Sequence, residues 1–307
     1  MRQILCACLV DMKSPIRHVF HHIHEAIVNV APERKEQFDK EHDTLILEYL
    51  DTFNWICHTD PDAKYIQLSR RVVEIFWVAS YAYITFYSKV IQVVKPTKKQ
   101  YIDLTQNEDV AKAMRLLKWG YENLVNKEDI PWPDDLPRPI PNPEQGSMEN
   151  VADELCLFAV AFVLHHELAH IRLEHSASNG GVELERETDY AASDWILNHD
   201  LSEKDMKFIK RGLGIAIAFE VMTAYGIYTG KYGGKTHPYS YDRLVHTLRR
   251  YISDPDHLVW ALLVSTIKLH LDNKKIAVPD VIYESFYECV NAYADVLSRQ
   301  ININAAS

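Results

Sequence analysis

The sequence predicts an α+β protein that is mainly α, with a small antiparallel sheet in the N-terminal half and a helical C-terminal half. Three observations support this. Apolar residues make up 47% of the 307 residues and charged residues 25%, which is typical of a globular chain with a large core. Short segments rich in aromatic and β-branched residues lie between residues 44 and 71. After residue 147, apolar residues recur at helical spacing almost to the C-terminus.

Residues 1–130 are predicted to form an N-terminal α+β part. Apolar positions at helical spacing predict an amphipathic helix over residues 14–30, which ends before Pro32. The turn chemistry of Asp60, Pro61 and Asp62 separates strand candidates. The expected strands lie within residues 44–50, 53–58 and 64–69, and two further helices are expected at 72–94 and 110–124.

The longest apolar stretch, residues 72–94, raises the question of a membrane span. It contains Glu74 and Lys89 and is rich in tyrosine, whereas a spanning helix needs about 20 residues nearly free of charge. We therefore expect a buried core helix. Peripheral contact with a membrane stays open.

A proline-rich segment divides the chain. Six of the 13 prolines fall within residues 131–143, where they exclude helix and favour extended backbone. We therefore predict a connector at 131–146 and a helical, metal-binding part at 147–307, with the two parts forming one compact unit.

Charge and cysteine content restrict the function. The net charge of −10 disfavours binding to nucleic acid. The five cysteines form no CxxC pair, which suits a reducing compartment, and the apolar stretch before Asp11 is too short for a signal peptide. We expect a cytoplasmic protein, which starts at Met1 or at Met12.

The strongest functional motif is His166-Glu167-Leu168-Ala169-His170, near the end of a helix that Ser147 is expected to cap. Residues four apart on a helix point the same way, so His166 and His170 can hold two positions of one Zn²⁺, with Glu167 as the base that activates water. Two ordinary core histidines are the alternative. Burying the His-Glu-His group without a metal would cost several kcal/mol, which favours the zinc site.

A third zinc ligand is expected on the next helix. Glu185 and Asp189 lie one turn apart, so Glu185 could bind the metal while Asp189 orients a ligating imidazole. Glu187 is the fallback ligand, and a solvated acidic face is the alternative. His175 follows His170 at +5 without the spacing of a third histidine ligand.

The other histidines carry weaker signals. His237 precedes Pro238 and is either a catalytic donor that stabilises the oxyanion or an ordinary histidine at a helix start. His165 and His175 are expected in the core or behind the ligands. His18 and His22 have the spacing of a metal pair, but an ordinary, partly exposed helix face is expected there.

Several segments resemble the gluzincin-type zinc metallopeptidases and, within them, the bacterial phage-exclusion proteases. They are HHELAHIRLEH at 165–175, ERETDYAASDWIL at 185–197, THPYSYDR at 236–243, KSPIRHVF at 13–20 and NVAPE at 29–33. The resemblance implies a zincin-like fold. It also implies that His166, His170 and Glu185 bind Zn²⁺, that Glu167 is the base, and that His237 and Arg243 serve transition-state and structural roles.

The same resemblance implies a substrate and a partner. Such a protease would cleave elongation factor Tu in the cytoplasm of a phage-infected cell, once a phage capsid-protein peptide has bound the factor. Two alternative functions are compatible with the same zinc site. One is a regulatory metalloprotease that cuts a repressor or antitoxin, and the other is a zinc-stabilised binding or sensor module without turnover.

Overall fold

The computed structural model describes residues 3–5, 12–42, 44–91, 107–175, 181–197, 201–230 and 240–306. Over these residues the protein is mainly helical, as predicted. The N-terminal elements are β1 (Gln3–Leu5), α1 (Arg17–Phe20), α2 (Ile23–Asn29), α3 (Lys35–Glu41), β2 (Ile46–Leu50), β3 (Cys57–Asp60), β4 (Tyr65–Ser69), α4 (Arg70–Phe86) and α5 (Glu108–Asn123). The later elements are α6 (Met148–Arg172), α7 (Val182–Leu197), α8 (Met206–Thr229), α9 (Ser240–Arg249), α10 (Leu258–Asn273) and α11 (Phe286–Ala306).

The sheet is mixed, so the prediction of an antiparallel sheet is wrong. Its strand order is β1-β2-β4-β3, and only β3 and β4 run antiparallel. The turn at Asp60 to Asp62 joins β3 and β4 into this hairpin. The burial of the side chains determines which strand lies at the edge of the sheet. Alternate residues of β2 and β4 are buried, but β3 has none that is fully buried and takes an edge, where polar side chains reach water.

The helix expected over residues 14–30 is interrupted. It forms α1 and α2, and His21 and His22 lie between them. The N–H of His22 bonds to the carbonyl of Val19, three residues back, which tightens the chain into a turn. The apolar side chains on both sides of the turn, such as Phe20 and Ile23, are buried all the same.

Two segments of the N-terminal part are tied to the helices by polar contacts. The Ser14 hydroxyl donates to the Glu74 carboxylate of α4 at 2.6 Å. The Arg211 guanidinium of α8 donates to Glu33 at 2.8 Å and to the Ile196 carbonyl at 2.8 Å, near the end of α7. These contacts fix the start of the chain against the helices that surround the candidate site.

Helix α4 is buried along nearly its whole length, which confirms the prediction of a core helix over residues 72–86, while residues 92–94 of the predicted stretch lie outside the described residues. It packs against α5, α6 and α8. Trp132, in the proline-rich segment, lies against Trp77 of α4 and Trp119 of α5, with ring centroids 5.6 Å and 4.8 Å apart. Buried apolar residues before and after this segment belong to one cluster.

Helix α6 lies at the centre, where it contacts α2, α4, α7 and α8. Its neighbour α8 approaches closely at Gly214, because a Cβ atom there would lie 2.9 Å from the backbone carbonyl carbon of Phe158. Among the described residues, α6 and α8 are the two helices long and apolar enough to cross a membrane. Core helices of soluble proteins meet the same criterion, so this is weak evidence for a span.

Candidate metal centre

Helix α6 brings the two histidines of the motif together. The Ser147 side chain accepts from the Asn150 N–H at 3.2 Å and caps the helix start, as predicted. Near the other end, His166 and His170 lie one turn apart. Their Nε2 atoms are 3.3 Å from each other, and both side chains are largely buried.

Helix α7 adds Glu185 to this pair. One carboxylate oxygen lies 3.6 Å from His166 Nε2 and the other lies 3.6 Å from His170 Nε2. One ligand atom from each of the three residues falls within a group 4.8 Å across. Tetrahedral zinc with bonds of about 2.0–2.1 Å separates its ligand atoms by roughly 3.3 Å, so the three residues fit a zinc ion.

Glu187 lies apart from these three residues. Its side chain is more than half exposed, and its carboxylate lies 3.6 Å from His175 Nε2. Glu187 follows Glu185 by two residues, which is less than one helical turn, so the two side chains leave α7 in different directions. Glu185 is therefore the better placed of the two candidate ligands.

Asp189 and Arg243 lie behind His166. Oδ1 of Asp189 is 3.0 Å from His166 Nδ1, the nitrogen that faces away from His170. Arg243, on α9, donates to both oxygens of Asp189 at 2.7 Å and lies 3.3 Å from Glu185. Asp189 has no exposed surface. A ligating imidazole needs its second nitrogen held in this way.

The charges of the site favour a cation. Three carboxylates, those of Glu167, Glu185 and Asp189, act on the guanidinium of Arg243, so acidic side chains outnumber this arginine at the site. Burial alone lowers the pKa of His166, but Asp189 and Glu185 outweigh it and raise this pKa to about 9. The site thus attracts positive charge strongly, which a divalent ion would supply.

The pKa values of His170 and Asp189 are lowered, in contrast to that of His166. Burial, together with the charge of His166, lowers the pKa of His170 to about 4. Burial would raise the pKa of Asp189, but the adjacent Arg243 outweighs it and holds this pKa below its usual range. Asp189 therefore stays ionised, and a neutral His170 offers the lone pair that a metal requires.

Glu167 is placed for acid–base chemistry. It follows His166 on α6 and is half-buried, and burial raises the pKa of its carboxyl group. A raised pKa brings a carboxylate closer to the neutral range where a general base works best. The Cys57 thiol of the edge strand β3 lies 3.9 Å from Glu167. Sequence reasoning missed this neighbour, since no local pattern links positions 110 residues apart.

The remaining histidines fall into separate places. His165 Nε2 lies 2.9 Å from the Ile27 carbonyl and its ring stacks on Trp195, so it is a core residue, as expected. His175 lies next to His170. His18 and His22 lie at α1 and the turn after it, outside the group that could hold a metal. His237 lies outside the described residues, so its role stays a prediction.

Two comparisons now define the class of protein. The profile of the Peptidase U49 family matches residues 66–263, which contain His166, Glu167, His170 and Glu185, and the chain belongs to that family. It is therefore a peptidase, and its substrate is a protein or peptide.

A relative gives a more particular likeness. The chain is 28% identical over 278 residues to the cell death peptidase of Escherichia coli strain K12, covering 87% of this chain and 92% of the relative. Both findings confirm the resemblance to the phage-exclusion protease Lit. No solved structure matches the chain, so the zincin-like fold stays a prediction.

Proposed function

We propose that this chain is a zinc-dependent endopeptidase of the HExxH, gluzincin-like class. One observation carries the proposal. Ligand atoms of His166, His170 and Glu185 lie within 4.8 Å of one another, and Glu167 is the residue next to the first of them. Two histidines and one carboxylate form a known ligand set for catalytic zinc, which keeps its fourth position open.

The protein residues have distinct roles in this proposal. Zinc bound here would lower the pKa of water and polarise the peptide carbonyl. Glu167 accepts the proton of the attacking water and passes it to the leaving amine. Asp189 holds His166 through its second nitrogen, and Arg243 keeps Asp189 ionised. His237 is proposed to stabilise the oxyanion.

The edge strand β3 supplies a surface for an extended substrate. Ser69 N–H bonds to the Ile56 carbonyl at 2.9 Å, and Cys57 is paired with Leu68 in the ladder. Hydrogen bonding alternates along an antiparallel pair, so the backbone groups of Cys57 and Thr59 point away from β4. A substrate strand could bond to them beside Glu167, which supports cleavage within a chain.

The proposed substrate is elongation factor Tu. The named relative is a cell death peptidase, and the motif resemblance implies cleavage of this factor with a phage capsid-protein peptide as activator. Cleavage would stop translation and exclude the phage. We also propose a cytoplasmic location, where this substrate is found. The three described cysteines, Cys57, Cys156 and Cys289, are free thiols, which agrees with a reducing compartment.

The test is incubation of the zinc-loaded protein with purified elongation factor Tu, with and without the capsid peptide. We expect one new pair of fragments, which requires the peptide and disappears with a chelator. Glu167→Gln should bind zinc as the wild type does and lower the rate about 10²–10⁴-fold, since it removes only the base. His237→Ala should lower kcat with little change in KM.

Other outcomes would change the proposal. An uncut factor, together with cleavage of a repressor or antitoxin, would replace the substrate and keep the chemistry. If Glu167→Gln left both cleavage and growth inhibition intact, the endopeptidase proposal would be wrong and a zinc-stabilised binding or sensor module would take its place.

A further inference from the structure

The end of α6 folds back on itself through an unusual backbone conformation. Glu174 has a φ of +54°, a left-handed value that glycine adopts without strain and other residues adopt at a cost of roughly 1 kcal/mol. The Glu174 N–H bonds to the Ile171 carbonyl at 3.3 Å, and the His175 N–H bonds to the His170 carbonyl at 3.0 Å. These two bonds form a Schellman motif, which places residue 175 over residue 170.

The side chain of His175 contacts the side chain of His170. Its Nδ1 lies 3.1 Å from Nδ1 of His170, and the side chain is only 10% exposed. The two rings are 5.2 Å apart at 67°, an edge arrangement in which the nitrogens rather than the ring faces meet. The backbone turn and the ring contact therefore bring the same two residues together.

The proton positions on these rings follow from chemistry. Nε2 of His170 faces His166 and Glu185, so metal binding there requires the proton of His170 on Nδ1. That proton points at Nδ1 of His175, which must then accept it with its lone pair. The proton of His175 is left on Nε2, which lies 3.6 Å from the Glu187 carboxylate.

Each of the two motif histidines thus has a second side chain at its Nδ1 atom, but the two supporting groups differ in chemistry. His166 is backed by the buried carboxylate of Asp189, and Arg243 lies behind it. His170 is backed by the imidazole of His175, and the exposed Glu187 lies behind it. Neutral imidazole accepts a hydrogen bond less strongly than a carboxylate does, so the support of His170 is the weaker of the two.

We propose that His175 is a positioning residue for His170, which it holds in the tautomer and orientation that zinc binding needs, and that Glu187 supports His175. This rests on the proposed function in that zinc is the bound metal. It assigns a role to His175, at the end of the segment 165–175, and to Glu187, neither of which is a ligand in the proposed zinc site.

The test is zinc affinity of the full-length chain, measured by competition with a chromophoric chelator at fixed pH. His175→Ala should weaken zinc binding about 10–100-fold, the usual effect of losing a residue that supports a ligand. His175→Gln retains an acceptor and should recover part of the loss, and Glu187→Gln should weaken binding a few-fold. Glu183→Gln is the matched control, because Glu183 is an exposed carboxylate of the same helix that pairs with Arg186.

Two further measurements separate positioning from other roles. The urea midpoint of each metal-free variant should match the wild type, since a loss there would point to a folding role alone. The absorption spectrum of the cobalt(II)-loaded His175→Ala protein should keep the wild-type shape, because the ligands themselves are unchanged. A changed spectrum would overturn the proposal by making His175 a ligand.

The affinities distinguish this inference from the proposed function. If the wild type binds one zinc and His175→Ala binds it equally tightly, the positioning role is wrong while the metallopeptidase proposal stands. If the wild type binds no zinc, the proposed function fails and the positioning role fails with it.

Discussion

Oδ1 of Asp189 lies 3.0 Å from Nδ1 of His166, and Asp189 is itself held by two hydrogen bonds of 2.7 Å from Arg243. The three side chains come from three helices, α7, α6 and α9, and all are buried. The orientation of the first candidate zinc ligand thus depends on the packing of α9, far along the chain.

Removing the charge of Asp189 should therefore affect both metal binding and stability. Asp189→Asn is expected to weaken zinc binding about 10–100-fold, because it alters the support of His166. It should also lower the free energy of unfolding by roughly 3 kcal/mol, because the buried Arg243 loses the carboxylate that accepts both of its short hydrogen bonds and keeps only Glu185, 3.3 Å away. Chelator competition and urea unfolding measure the two effects. Asp134→Asn, at a fully exposed aspartate, should change neither.

The choice between Glu185 and Glu187 as the third ligand can be decided by metal content. Glu185→Ala should lose stoichiometric zinc after gel filtration, because its carboxylate lies 3.6 Å from both histidines. Glu187→Ala should keep one zinc per chain by elemental analysis. The reverse pattern would show that Glu187, and not Glu185, binds the metal.

The contact between α6 and α8 at Gly214 should be intolerant of a side chain. A Cβ atom would meet the Phe158 backbone at 2.9 Å, so Gly214→Ala must push the two helices apart. Overpacking of this kind costs about 1–3 kcal/mol, which exceeds the helix propensity gained from alanine. Urea unfolding measures the loss. Gly181→Ala, in open space, should be close to neutral.

Acid should destabilise the fold in part through His42. Burial lowers the pKa of His42 to about 4, from 6.5 in the unfolded chain. The unfolded state therefore takes up a proton first as the pH falls, and stability is lost between pH 6.5 and pH 4. We expect about 1–2 kcal/mol of loss from this residue between pH 7 and pH 5. His42→Leu should lose less stability over that range, and equal losses would contradict the assignment.

Local patterns in the sequence predicted which side chains of α6 and α7 lie together better than they predicted the sheet. The i,i+4 spacing of His166 and His170 and the cap at Ser147 depend only on helix geometry, so they could be read without knowing the fold. The same holds for Glu185 and Asp189. Their contact with α6 could be anticipated only because their face of α7 continues into buried apolar residues.

Non-local contacts escaped the same reasoning. Strands β2 and β4 lie within the predicted segments, but β3 begins only at Cys57, near the end of the segment predicted at 53–58, and β1 was not predicted. The strand order was not predicted either, because side-chain alternation identifies a buried face and says nothing about which strands are neighbours. Cys57 lies beside Glu167 through this order alone. His175 was expected in the core or behind the ligands, but its contact with His170 was not predicted, since the left-handed conformation of Glu174 leaves no trace in its residue type.

The position of α6 at the centre of the helices has a consequence for how the protein would fail under heat. Its motif lies on an element that contacts four other helices, so its backbone amides should be among the slowest to exchange with solvent deuterium. An active site carried on a mobile loop can be lost while the rest of the molecule stays folded. In this protein, inactivation should coincide with global unfolding.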